Sequence, residues 1–207
     1  MKLPKIDFTP VSHPYPETTM FGAIELSAKR VPQAPALDFM GKITTYEKLV
    51  EKIEDAAKAF LSYGIKKDDV VTICMPNTPQ AIVCLYALNR IGAIANMVHP
   101  LSSQKNITFY LDYSESKMIL TLDQFYDKVL KAVGEAERDV VILTARIQNE
   151  LPLIKSVAYK YFKNKENLRF PTREKDIVWA DFVKTGSSEP VFCGESPLTV
   201  RDWQPGA

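Results

Sequence analysis

The sequence predicts an α/β fold: an open, mostly parallel sheet with helices on both faces. Three features carry this. Short apolar runs rich in β-branched residues alternate with stretches of helical periodicity along most of the chain. The run Val70-Val71-Thr72-Ile73-Cys74 is apolar on successive residues, as a strand covered on both faces requires. Residues 65–101 read strand, helix, glycine stop and second strand with short connections, a βαβ unit whose crossover is right-handed.

Within that central unit Pro76 ends the strand. Asn77 or Thr78 supplies the cap of the next helix, and Pro79 suits its first turn. From Ala81 to Leu88 the helix is apolar almost all round, so it is expected to be covered on more than one side. Gly92 is placed for a left-handed stop, and Ala93 to Val98 returns to strand composition.

Residues 1–18 hold Pro4, Pro10, Pro14 and Pro16 and read as an extended leader. A first helix is expected over Thr19 to Arg30, with Met20, Ile24 and Ala28 on one face. Ala36 to Met40 and Lys42 to Thr44 form a small hairpin turning at Gly41. Thr44 and Glu47 have the spacing of a capping box for a helix whose Leu49, Ile53, Ala56 and Phe60 share a stripe, stopped at Gly64. After Pro100, Ser102 or Ser103 caps a helix with Ile107, Tyr110 and Leu111 on one face. Lys117 to Leu122 is a third strand, Phe125 to Ala136 a helix, and Val140 to Leu143 a fourth strand. Residues 19–144 thus make one sheet module. Residues 145–207 are expected to be more irregular, with an amphipathic helix around Leu153 to Phe162, a short strand Ile177-Val178-Trp179 and a helical turn over Asp181 to Lys184.

Composition removes several classes of function. With 26 basic and 25 acidic residues, the net charge of +1 gives no overall field toward nucleic acid. No apolar run reaches the roughly 18 residues of a membrane-spanning helix, and no signal segment opens the chain, so a cytoplasmic protein is expected. The seven Lys and Arg residues within 155–175 read as a solvated face, with a peripheral membrane contact as the sharper alternative. Cys74, Cys84 and Cys193 read as reduced core thiols.

Ligands of open α/β sheets bind at the carboxyl ends of the strands, here near Pro76, Asn77, His99, Pro100 and Thr121. No catalytic device stands among them. Gly92 is isolated rather than part of a phosphate loop, no serine occupies a nucleophile elbow, and His99 has no base or nucleophile beside it in sequence. Asp68 and Asp69 form a polar lead-in to the strand rather than a paired acid and base. No catalytic, cofactor-binding or metal-binding residue is assigned.

The stretch DDVVTICMPNTPQAIVCLYALNRIGAIANMVHPLSS resembles a segment of adenylate-forming, AMP-binding ligases. It matches in the aspartate before the strand, Pro76-Asn77, Arg90 ahead of the stop, Gly92-Ala93 and Pro100. Upstream, ALDFMGKITTYEKL resembles the family's opening motif, with Thr45, Tyr46 and Leu49 in place. Downstream, YLDYSESKMILTLDQF and DIVWADFVK resemble two further family segments. The opening motif and LPLIKSVAYKYFKNK look most like fatty-acyl-CoA synthetases.

This resemblance implies the N-terminal part of the large domain of such a ligase. The intact enzyme would activate a fatty acid with Mg-ATP to an acyl-adenylate and pass the acyl group to CoA. The loop that holds the ATP phosphates, the ribose-binding aspartate and the C-terminal-domain lysine of the family have no counterpart here, so the chain alone is expected to bind no cofactor and to be inactive. Its expected partners are the remainder of its large domain and the C-terminal domain, with self-association through exposed sheet surface. The alternatives are a free-standing α/β interaction module, and part of an aryl-CoA ligase or a non-ribosomal adenylation domain.

Overall fold

Local capping sets most element boundaries. In the computed structural model, which describes residues 18–152 and 172–186, Thr19 caps α1 (Met20–Arg30) by accepting from Gly22 N. Thr78 caps α3 (Pro79–Ile91) by accepting from Ala81 N, and Ser103 caps α4 (Gln104–Tyr113) by accepting from Asn106 N. Gly92 ends α3 with φ of 74°, the left-handed region that a side chain would strain. A hairpin of β1 (Pro35–Phe39) and β2 (Lys42–Thr45) turns through Met40 and Gly41, both at positive φ.

The main sheet has five parallel strands in the order β4-β3-β5-β6-β7: β3 (Val70–Cys74), β4 (Ile94–Met97), β5 (Met118–Leu122), β6 (Val141–Ala145) and β7 (Ile177–Val178). Two cores flank it. On one face α1, α2 (Tyr46–Ser62), α3 and α6 (Trp179–Gly186) close over Val71, Ile73, Leu120 and Leu143. On the other, α4 and α5 (Tyr126–Glu135) close over Ile119 and Ile142. This is the α/β architecture expected from the alternation, with the short seventh strand added beside β6.

Several expectations are corrected. The cap of α2 is Thr45, which accepts from Lys48 N, so the Thr44–Glu47 box does not form. Thr44 instead stays in β2 opposite Leu37, and Glu47 accepts from Gln33 Nε2 at 2.7 Å. The buried residue of α1 is Phe21, while Met20 is exposed. Tyr110 faces solvent beside buried Ile107 and Leu111. Trp179 opens α6 rather than closing β7, because its indole packs on Phe182 of the same helix. The fourth strand runs Val141–Ala145. The leader, the helix proposed around 153–162, His13 and Cys193 lie outside the described residues.

Long-range contacts fix the layers. Arg90 Nε donates to Glu54 Oε1 at 3.0 Å while its guanidinium lies 5.0 Å from the Phe21 ring centre, so one side chain joins α1, α2 and α3. The Arg-before-stop position of the central motif is therefore structural. Beside β3, Thr72 and Ser116 share a buried hydrogen bond of 2.6 Å, and Asn96 donates to Thr72 Oγ1. That network lets three neighbouring segments keep polar residues inside without an orphaned group.

Candidate functional site

The strand order reverses direction at β3. Its crossover α3 leads outward to β4, and the chain then returns to place β5 on the other side of β3. Helices leaving such a point lie on opposite faces and open a crevice at the carboxyl ends of the strands. A cleft of about 540 Å³ lies there, lined by Met75, Pro76 and Asn77 after β3, Met97 to Leu101 after β4, and Phe125 after β5.

The cleft is largely apolar. Met75 and Val98 are buried in its floor, and Leu101, 72% exposed, stands at its rim. Of the positions expected from sequence, Pro76, Asn77, His99 and Pro100 are brought together here. Thr121 is not, since it is fully buried and donates to Cys74 O at 3.1 Å. Phe125 takes its place; a residue three beyond the strand end was hidden from sequence because a 3₁₀ turn at Asp123–Phe125 carries it back over the sheet.

The polar groups at the cleft hold its loop. His99 Nδ1 accepts from Leu101 N at 3.2 Å, which pins the turn after β4. Lys128 of α5 donates to the carbonyls of Pro100 and Ser102, and its ammonium lies 5.3 Å from the Phe125 ring centre. Lys128 is thus spent as a clamp on the loop. The Cys74 thiol behind this loop is pushed up to about 11 by burial, partly offset by the Lys128 charge, and is held as an inert thiol.

No lysine, arginine, aspartate or glutamate is among the described residues lining this cleft. The cleft wall offers an amide, an imidazole and apolar surface. Among the described residues no group of three His, Cys, Asp or Glu side chains is placed to hold a metal ion. The geometry suits an apolar molecule or a further layer of protein.

The family model described as "AMP-binding enzyme" matches residues 24–182. The chain belongs to the AMP-binding, adenylate-forming ligase family. Among its relatives, a long-chain-fatty-acid–CoA ligase of Bacillus subtilis is 26% identical over 174 residues, 84% of this chain and 29% of that protein. A 2-succinylbenzoate–CoA ligase of Listeria innocua is 34% identical over 112 residues, 53% of this chain and 24% of that protein. The chain therefore spans about a quarter to three tenths of the length of these relatives. Among solved structures, a putative long-chain-fatty-acid CoA ligase from Rhodopseudomonas palustris aligns with a TM-score of 0.61 at 18% identity, covering 80% of this chain and 36% of that one. A mutant form of coronafacic acid ligase from Pectobacterium brasiliense aligns with a TM-score of 0.62 at 16% identity, covering 81% and 29%. At such identities these two structures establish the fold alone.

In that light the central motif divides by role. Gly92 and Arg90 build α3 and its packing. Asn77 and Pro100 line the cleft. Among the described residues no helix is long and apolar enough to cross a membrane.

Proposed function

We propose that this chain is the N-terminal portion of a fatty-acyl-CoA synthetase and that it supplies scaffold and apolar channel wall rather than reacting groups. The observation carrying this reading is the extent of similarity to a long-chain-fatty-acid–CoA ligase, which runs through 84% of the chain. The apolar cleft at the switch point adds support, because each methylene buried against such a surface contributes about 0.8 kcal/mol. The intact protein would turn the carboxylate, a poor electrophile, into an acyl-adenylate with a good leaving group. It would release pyrophosphate from Mg-ATP and hand the acyl group to the thiol of CoA in the cytoplasm. The 207-residue chain on its own carries out none of these steps. Its partners in this reading are the remainder of the large domain and the C-terminal domain, which cover sheet surface such as exposed Ile94 and Met97 on the β4 edge.

The higher identity to a 2-succinylbenzoate–CoA ligase, over a shorter stretch, favours an aryl acid as the second reading. ATP–pyrophosphate exchange by the full product of the gene separates the two. Palmitate is expected to give the highest kcat/KM in a panel with 2-succinylbenzoate, benzoate and acetate. A preference for either aryl acid would replace the fatty-acyl assignment, and exchange by the 207-residue chain would overturn the scaffold role.

A further inference from the structure

A second cavity, of about 230 Å³, shares no lining residue with the cleft. It is set among α2, α3, α6 and the 147–150 turn. We propose that it binds a neutral, fragment-sized ligand with a flat apolar body and a hydrogen-bond donor.

Three features define that ligand. Pro79, Val83, Trp179 and Val183 form apolar wall, and the indole supplies a flat face for a ring. The charged groups cancel: Lys52 and Lys42 both approach Glu150 Oε2, at 3.6 and 3.4 Å, and Asp55 offsets the remaining ammonium. An ion entering would lose hydration without a net opposite charge to replace it. Finally, Gln80 lines the wall at 1% exposure; its Nε2 donates to Arg146 O at 3.3 Å, but its buried Oε1 accepts no hydrogen bond. A buried acceptor without a donor is costly, and a ligand bringing one removes that cost. The terminal amide torsion of glutamine is soft, so the side chain can turn Oε1 toward a donor in the cavity as Nε2 gives up its 3.3 Å contact with Arg146 O. The volume lies below the roughly 300–1,000 Å³ of drug-sized pockets, which limits the ligand to about a single substituted ring.

Phenol and toluene test this directly, since they match in shape and differ in the donor. Titration of the 207-residue chain with each is followed by NMR at the Trp179 indole N–H and the Gln80 side-chain amide, with Trp179→Phe used to assign the indole signal. Phenol is expected to give saturable shifts at both groups. Loss of the acceptor in Gln80→Leu is expected to weaken phenol roughly three- to tenfold, as one net hydrogen bond implies, and to leave toluene unchanged. Equal affinity for phenol and toluene in the unaltered chain would overturn the proposal without reliance on any variant. So would the absence of saturable shifts, or undiminished phenol binding by a Gln80→Leu chain that melts cooperatively.

Discussion

Tyr126 donates its hydroxyl proton to Asp176 Oδ2 at 3.0 Å, joining the first residue of α5 to the turn that leads into β7. The same carboxylate, wholly buried, accepts from Ile142 N of β6 at 3.1 Å and from the Arg173 guanidinium, which also reaches Val140 O. Thr172 N donates back to the Tyr126 oxygen at 2.9 Å. The far edge of the sheet is therefore held by one acid with partners on three segments. Asp176→Ala strands a backbone N–H and a guanidinium and is expected to cost roughly 1.5–3 kcal/mol, with Tyr126→Phe costing about 1 kcal/mol. Urea unfolding measures both; an Asp176→Ala loss below about 0.5 kcal/mol would remove the network from the account.

The seat of α6 on α2 depends on a missing side chain. A Cβ at Gly186 would lie 2.1 Å from Asp55 O and 2.6 Å from Ala59 N, both backbone atoms that cannot swing aside. Gly186→Ala should lift the end of α6 and loosen the edge contact of Phe60 with Phe182, whose ring centres are 4.8 Å apart. Overpacking of this kind costs roughly 1–3 kcal/mol. A thermal melt followed by Trp179 fluorescence reads it, and an unchanged melting temperature would show that the helix end has room to move.

Asp69 ties the turn before β3 to the start of β5. Burial alone would raise its carboxyl, but the hydrogen bond from Lys117 at 2.8 Å, the Lys66 backbone N–H and both lysine charges outweigh burial and hold it below the ordinary carboxylate value. A carboxyl depressed by folding stabilises above its unfolded pKa and loses that contribution as pH falls through the folded one. The melting-temperature gap between the native chain and Asp69→Asn should therefore be full near neutrality. It should close as pH drops below about 3.9. A gap independent of pH would mean that Asp69 contributes by packing alone.

Cys74 and Cys84 are buried free thiols whose pKa values burial raises. Both are expected to resist a thiol reagent at pH 8 until urea is added, whereupon all three cysteines of the sequence react. Rapid modification of either in the native state would place its helix or strand nearer solvent than described.

Local chemistry was legible in the sequence. Thr78, Ser103 and Gly92 act through bonds to residues at most four away, so residue type and spacing placed Gly92 and narrowed each cap to two neighbouring residues. Errors arose where a distant partner decided. Phe21 rather than Met20 turns inward because its N–H donates to Asn89 Oδ1 across 68 residues and Arg90 covers its ring. The cap is Thr45, whose side chain accepts from Lys48 N, while Thr44 is buried in β2 opposite Leu37. Trp179 could belong to a strand or a helix by composition, and contact with Phe182 settled it. At the cleft, Pro76, Asn77, His99 and Pro100 meet at the strand ends, whereas Thr121 turned back to bond the neighbouring strand. The Asp176 network and the Gln80 cavity left no sequence signal, since each assembles groups from three or more separated segments.

The central claim is that this chain is scaffold of an adenylate-forming ligase and does not itself grip the nucleotide. Isothermal titration of the 207-residue chain with Mg-ATP tests it most directly. The account predicts no saturable heat, and a stoichiometric micromolar binding isotherm would contradict it.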